Sequence, residues 1–231
     1  MKSPKIQILN TASLTEEIIE FVKANNLCDY EGTKNLEDFL AKKTRWLQLF
    51  NIQYSQPNGT GYWSMVSRKK KPSPGDGQPL VADAVVVIPL LKNSGKRKVV
   101  TIKEFRIPLG AYEYAFPAGL YDHNETAEAV AKRELKEETG LKLTKVLYVS
   151  SPVVSSAGLS DESVVYVVCE CTGEPDTSGN EGTEDIEVNV LDLDGITNLV
   201  NSNHNISSKT LPFLLMFLGA KKIAWPKNLR E

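Results

Sequence analysis

Residues 119–141 read GLYDHNETAEAVAKRELKEETGL, and no other stretch limits the fold as strongly. From Glu125 to Thr139 there is neither glycine nor proline, and alanine, leucine and long charged side chains dominate, so the run predicts a helix over 125–139. Gly119 suits a tight turn into it, and Gly140 a C-cap. On such a helix Glu134, Glu137 and Glu138 point to one side. Ala127, Ala131 and Leu135 form the opposite stripe, expected to pack on a sheet. Carboxylates this close repel by roughly a few tenths of a kcal/mol per pair. Arg133, four residues before Glu137, can pair with it and hold one rotamer. A rigid cluster of hard oxygen ligands suits Mg²⁺ or Mn²⁺, which favour carboxylates, water and phosphate, and a bound cation would offset the repulsion. Taken alone, the run also fits an ordinary solvated helix.

The rest of the chain supplies the sheet. VADAVVVIPLL (81–91) is β-branched and nearly continuous, which predicts a buried strand. SGKR turns it into KVVTIKEF as a hairpin, and VLYVSSPVV, SVVYVVCEC and IEVNVLDL are further strands. SKTLPFLLMFLGAKK reads as a terminal helix with Pro212 in its first turn. Towards the N-terminus, 13–25 predict a short helix with a Ser13–Glu16 capping box, and NLEDFLAKK a second one. RWLQLFNIQY and GYWSMVSR read as strands on either side of the turn-forming SQPNGTG. KKKPSPGDGQP is a linker or exposed loop. Strands with one central helix and another at the end predict an α+β, helix–sheet–helix sandwich and not a doubly wound array.

Composition narrows the partners. The 231 residues fit one large domain or one domain with an extension. With 27 basic and 29 acidic side chains the net charge is −2, and Arg68-Lys69-Lys70-Lys71 is the only dense basic run. Neither nucleic acid nor a membrane surface is therefore expected as a partner. The start, MKSPKIQILN, lacks the apolar core of a secretory signal, and VVVIPLL and LPFLLMFLG are far too short to span a bilayer. Cys28, Cys169 and Cys171 make an odd count without metal-ligand spacing, as expected in a reducing cytoplasm.

Seven residues of 119–141 stand at fixed spacings: Gly119, Glu125, Arg133, Glu134, Glu137, Glu138 and Gly140, with a hydrophobic residue one place after Glu134 and after Gly140. Chance would place such a set at a given position about once in 10⁸. The run resembles the signature of the Nudix hydrolases. That resemblance implies a Nudix-type α/β/α sandwich with a mixed central sheet over 76–231, behind a small N-terminal β extension over 1–75. It also implies a loop–helix–loop that binds divalent metal and cleaves a nucleoside diphosphate linked to another moiety, with water as nucleophile. Carried over residue by residue, Glu134 and Glu138 are the first metal ligands and Glu137 the next. The carbonyl of Ala118 is a further ligand, and Arg133 is the orienting partner.

Over most of residues 45–200 the chain is similar to ADP-ribose and ADP-sugar pyrophosphatases. KEFRIPLGAYEYAFPAGL looks like the segment ahead of the box there, which implies that Arg106 contacts the diphosphate. A forked guanidinium suits paired phosphate oxygens; a surface salt bridge is the plain alternative. SSPVVSSAGLSDE resembles the substrate loop and brings in Gly158 and Leu159. The polar loop TGEPDTSGNEGTEDIEV matches the place of a mobile catalytic carboxylate, with Glu184 as general base and Glu181 or Glu187 as fallbacks. Trp46 and Trp63 match two tryptophans that sandwich adenine. Arg68 would reach the ligand across a homodimer whose N-terminal strands share the pocket. The alternative for both tryptophans is core packing beneath the hairpin.

Two positions depart from the pattern. Ala157 stands where ADP-ribose enzymes carry proline, and Ala115 where they often carry glutamate, although Glu113 lies two residues earlier on the same strand face. Another nucleoside-diphosphate derivative, such as a different nucleotide sugar or a dinucleotide, is the alternative substrate class. A non-catalytic nucleotide sensor of the same fold is the alternative function, and such modules typically lose box glutamates.

Overall fold

The computed structural model describes residues 7–13, 19–20, 23–24, 47–70, 72, 79–93, 96–122, 124–178 and 185–219, with only the backbone at 7–13, 93 and 96–97. The chain divides into two units, Met1–Val81 with Val154–Ser163, and Ala82–Val153 with Val164–Glu231.

The first unit holds an antiparallel sheet in the order β1–β2–β3, from β1 (Gln7–Ser13), β2 (Gln48–Gln56) and β3 (Gly59–Ser67). The predicted hairpin turns through Pro57 and Asn58, with Gln56 paired to Gly59 at φ 135°, a value that favours glycine. Strand β1 was not expected from the sequence. Ser13, read as a helix cap, closes that strand opposite Phe50. Residues 19–20 and 23–24 are helical, whereas Glu16 and the predicted helix at 35–43 lie outside the described residues. Phe50, Ile52 and Met65 are buried together. The segment 154–163 belongs to this unit through backbone and side-chain bonds: the Val66 N–H donates to the Leu159 carbonyl at 2.9 Å, and the Ser163 hydroxyl to that of Val81 at 2.9 Å.

The second unit is built on β4 (Ala84–Asn93), β5 (Lys96–Arg106), β6 (Ala111–Ala115), β7 (Ala118–Leu120), β8 (Lys142–Val149), β10 (Ser163–Thr172), β11 (Ile186–Leu191) and β12 (Asn205–Ile206), with β9 (Val153–Val154) paired to β10. The strand order is β12-β6-β5-β4-β10-β8, with β11 on β5 and β7 on β4. Pairing is parallel between β4 and β10 and between β12 and β6, so the sheet is mixed.

Helices cover both faces. Val85 and Val87 of β4 pack with Val130, Ala131 and Leu135 of α1 (Ala127–Thr139). Val86 and Ile88 pack with Ile196 and Leu199 of α2 (Leu193–Val200) and Leu214 of α3 (Leu211–Gly219). A strand buried on both faces needs apolar residues at every position, which explains the unbroken run in β4. The α+β helix–sheet–helix arrangement is thus the one expected. Helix α2 was missed because IEVNVLDL reads as one strand. The strand stops at Leu191, and the Asp192 carboxylate accepts the Gly195 N–H at 2.9 Å to cap the helix. Among the described residues no helix is long and apolar enough to cross a membrane.

Candidate active site

Helix α1 is fixed at both ends. The Thr126 hydroxyl accepts the Ala129 N–H at 3.2 Å. Gly140 closes the helix at φ 72°, and a Cβ there would come within 2.6 Å of Asp176. At about 100° per residue, Glu134 and Glu138 lie on the same side of the helix as Ala127 and Ala131. The two carboxylate side chains are therefore not opposite the alanine stripe, as expected, but buried beside it, at 8% and 7% exposure. Strand β7 makes this burial workable. The Ala118 N–H donates to Glu138 Oε2 at 3.1 Å, and a Cβ on Gly119 would sit 1.7 Å from Glu134 Oε1. Gly119 is thus not a turn residue, as the sequence suggested. It lies inside a strand and is glycine because the Glu134 carboxylate fills the space of a side chain.

Arg133 joins the cluster. Its Nε and Nη2 donate to the two oxygens of Glu125 at 3.3 and 3.1 Å. Nη1 donates to Glu134, and to Glu137 Oε2 at 3.2 Å. Nη2 also reaches the Leu120 carbonyl at 3.1 Å. The guanidinium's bond to Glu125, with Glu134 next, raises its pKa, and the same bond holds the Glu125 carboxyl below the usual carboxylate range. Glu125 is the residue to which the sequence reading gave no role, although its fixed spacing before Arg133 was visible.

Arg133 thus pairs with Glu125, Glu134 and Glu137, and with Asp122 at 3.9 Å, and Glu138, bonded to β7, adds a fifth carboxylate; of the five, Glu134 and Glu138 are buried. A buried surplus of negative charge is costly unless paired, and hard carboxylate oxygens beside β7 are the donor set that Mg²⁺ or Mn²⁺ takes. The residues fit a divalent cation in chemistry and charge. Among the described residues no group of three or more acidic, histidine or cysteine side chains is already gathered around a single point; Glu134 and Glu137 turn oxygens to Arg133 instead.

Residues 81–212, more than half of the chain, match the NUDIX domain. The chain belongs to the Nudix hydrolase family. A Caenorhabditis elegans protein named as a nudix hydrolase, without a stated substrate, is 33% identical over 74% of this chain and 79% of its own length. The mouse ADP-sugar pyrophosphatase is 36% identical over 61% of this chain and 62% of that protein. The Saccharomyces cerevisiae ADP-ribose pyrophosphatase is 32% identical over 61% and 60%. The chain thus spans about three-fifths of those two pyrophosphatases. A crystal structure of an ADP compounds hydrolase has the same fold, with a TM-score of 0.61 at 16% identity over 94% of this chain and 96% of that one. Hydrolases of this family use a divalent metal ion.

The other expected residues fall in both units. In the Nudix unit, Arg106 ends β5 with Nη1 on Glu104 at 2.9 Å and Nε 3.5 Å from Glu113, so it forms the salt bridge named as the plain alternative. Ala115 is buried beside Ile102 and Ile186. Glu187, a fallback base, is paired with Lys103 at 3.0 Å; Glu181 and Glu184 lie outside the described residues. Asp185, next to Glu184, has its carbonyl bound by the Phe105 N–H at 3.3 Å and its carboxylate by the Tyr112 hydroxyl.

In the N-terminal unit, Trp63 pairs with Ile52 across the hairpin and shares the face of Phe50 and Met65. It is 47% exposed, at the rim of that cluster and not beneath it; Trp46 lies outside the described residues. Arg68 is bonded to Glu162 at 3.3 Å and Lys69 to Asp161 at 3.1 Å. Gly158 and Leu159 form an exposed turn that Val66 holds through the Leu159 carbonyl.

Proposed function

We propose that this protein hydrolyses the diphosphate of ADP-ribose or a related ADP-sugar, giving AMP and a sugar phosphate. The observation that carries the reading is the buried carboxylate pair Glu134 and Glu138, set against β7 with Arg133 bonded to Glu134. The names of the mouse and yeast relatives support the substrate class. Glu134, Glu138, Glu137 and the Ala118 carbonyl would hold Mg²⁺ or Mn²⁺. When bound, the metal supplies charge neutralisation of the diphosphate and a lowered pKa for the attacking water.

The chain's own residues do the rest. Arg133 orients Glu134 and Glu137, and it shields their charge while the substrate arrives. Arg106 presents its Nη2 to a diphosphate oxygen, with Nη1 and Nε on Glu104 and Glu113. Glu184 takes the proton of the attacking water, which requires approach to about 3 Å. Trp46 and Trp63 stack on the adenine, a contact contributing about 1–3 kcal/mol per base. Gly158 and Leu159 line the substrate loop, and Arg68 reaches the ligand in a cytoplasmic homodimer that shares its nucleotide pocket.

Incubation with ADP-ribose and Mg²⁺, followed by product analysis, tests the reading: AMP and ribose 5-phosphate support it, and their absence refutes it. Ala115 and Ala157 favour one second reading, another nucleoside-diphosphate derivative, which the same assay over a substrate panel separates.

A further inference from the structure

Strand β5 carries Val100 into the cluster that α1 covers, so Ile102, Glu104 and Arg106 follow on the α1 side of the sheet at the two-residue period. In β6, Glu113 pairs directly with Glu104 and Ala115 with Ile102. Like charges directly opposite one another across two strands are destabilising. Arg106 resolves the conflict by taking Glu104 on Nη1 and Glu113 on Nε. Among the described residues Nη2 makes neither a hydrogen bond nor an ion pair. The position two residues on, where a carboxylate would face the same way, is Ala115, buried with Ile102 and Ile186.

We propose that Glu113, together with Glu104, is a positioning residue for Arg106: the two carboxylates fix the guanidinium by Nη1 and Nε and leave Nη2 to meet a diphosphate oxygen. The proposal rests on the diphosphate reading above. An arginine held by two partners meets its ligand with less rotamer freedom left to lose. Two carboxylates also leave the trio with one surplus negative charge, so the arrangement gains directional order at the expense of raw attraction for phosphate. Glu104 lies two residues from Arg106 on its own strand and cannot hold it from both sides; Glu113 supplies the second hold from the neighbouring strand.

A double-mutant cycle tests this. Binding of ADP is measured in EDTA for the wild-type chain, Glu113→Ala, Arg106→Ala and the double variant, with kcat and KM for ADP-ribose and Mg²⁺ alongside. Because Glu113 acts through Arg106, Glu113→Ala weakens ADP binding about fivefold and Arg106→Ala about twentyfold, while the double variant matches Arg106→Ala alone. In turnover, the effect of Glu113→Ala falls on KM, with kcat within about twofold of wild type. Penalties that multiply in the double variant would overturn the proposal. So would unchanged or tighter ADP binding by Glu113→Ala, or a wild-type chain that does not bind ADP. If the wild type binds ADP but leaves ADP-ribose intact, the substrate reading fails while the binding cycle still decides the role of Glu113.

Discussion

The space above Gly119 is filled by a carboxylate, and this sets the sharpest expectation at the scale of single residues. A methyl group there would meet Glu134 Oε1 at 1.7 Å. The clash falls on the far end of a flexible side chain, so the backbone survives while the carboxylate swings away. Gly119→Ala should lower the ADP-ribose hydrolysis rate about tenfold or more while the melting temperature moves by only about a few degrees. A large loss of stability would show that Gly119 serves the fold instead. Glu138→Gln removes one charge without changing shape, and the variant should lose more than about tenfold in turnover with Mg²⁺ while melting normally. The identities of these carboxylates were legible in the sequence from their spacing. Their direction was legible too, since about 100° per residue puts Glu134 and Glu138 beside Ala127 and Ala131; their burial was not, because a helical wheel shows angles but not which neighbouring backbone has room for a carboxylate.

At the scale of elements, α1 and β7 are tied by the Arg133 network, and its pH dependence has a definite sign. The Glu125 carboxyl is held below its ordinary value of 4.5, chiefly by its bond to Arg133. A depressed carboxylate contributes stability that is fully present above its unfolded pKa and is lost as pH falls through the folded value. The melting temperature should therefore fall on acidification below about pH 4.5, and Glu125→Gln should flatten that decline; an identical acid profile in the variant would contradict the pairing. Strand β10 gives a second test. Burial pushes the Cys169 and Cys171 thiols up to about 12, so neither should react with a thiol reagent at neutral pH until the protein is unfolded. Long strands such as β4 and β10 were legible because each is a nearly continuous β-branched run within ten residues, the composition of a strand covered on both faces. The short strands β6, β7 and β12, of five, three and two residues, carry too few positions for any period to show.

At the scale of the whole molecule, a shared nucleotide pocket requires Trp63 to be available to a ligand. Its half-exposed place at the rim of the Phe50–Ile52–Met65 cluster meets that need. Trp63→Ala should raise KM for ADP-ribose severalfold and leave the melting temperature nearly unchanged; a core role would instead cost about 3–5 kcal/mol. Light scattering should report a dimer at micromolar concentration, and a monomer would remove the shared pocket. The central claim is that a carboxylate cluster on α1 drives metal-dependent cleavage of an ADP-linked diphosphate. It is tested most directly by AMP release from ADP-ribose, measured for the wild-type chain and Glu138→Gln in Mg²⁺ and in EDTA. The account predicts rapid release by the wild type in Mg²⁺, none in EDTA, and less than about a tenth of the rate in the variant. Equal release in EDTA, or by the variant, would contradict it.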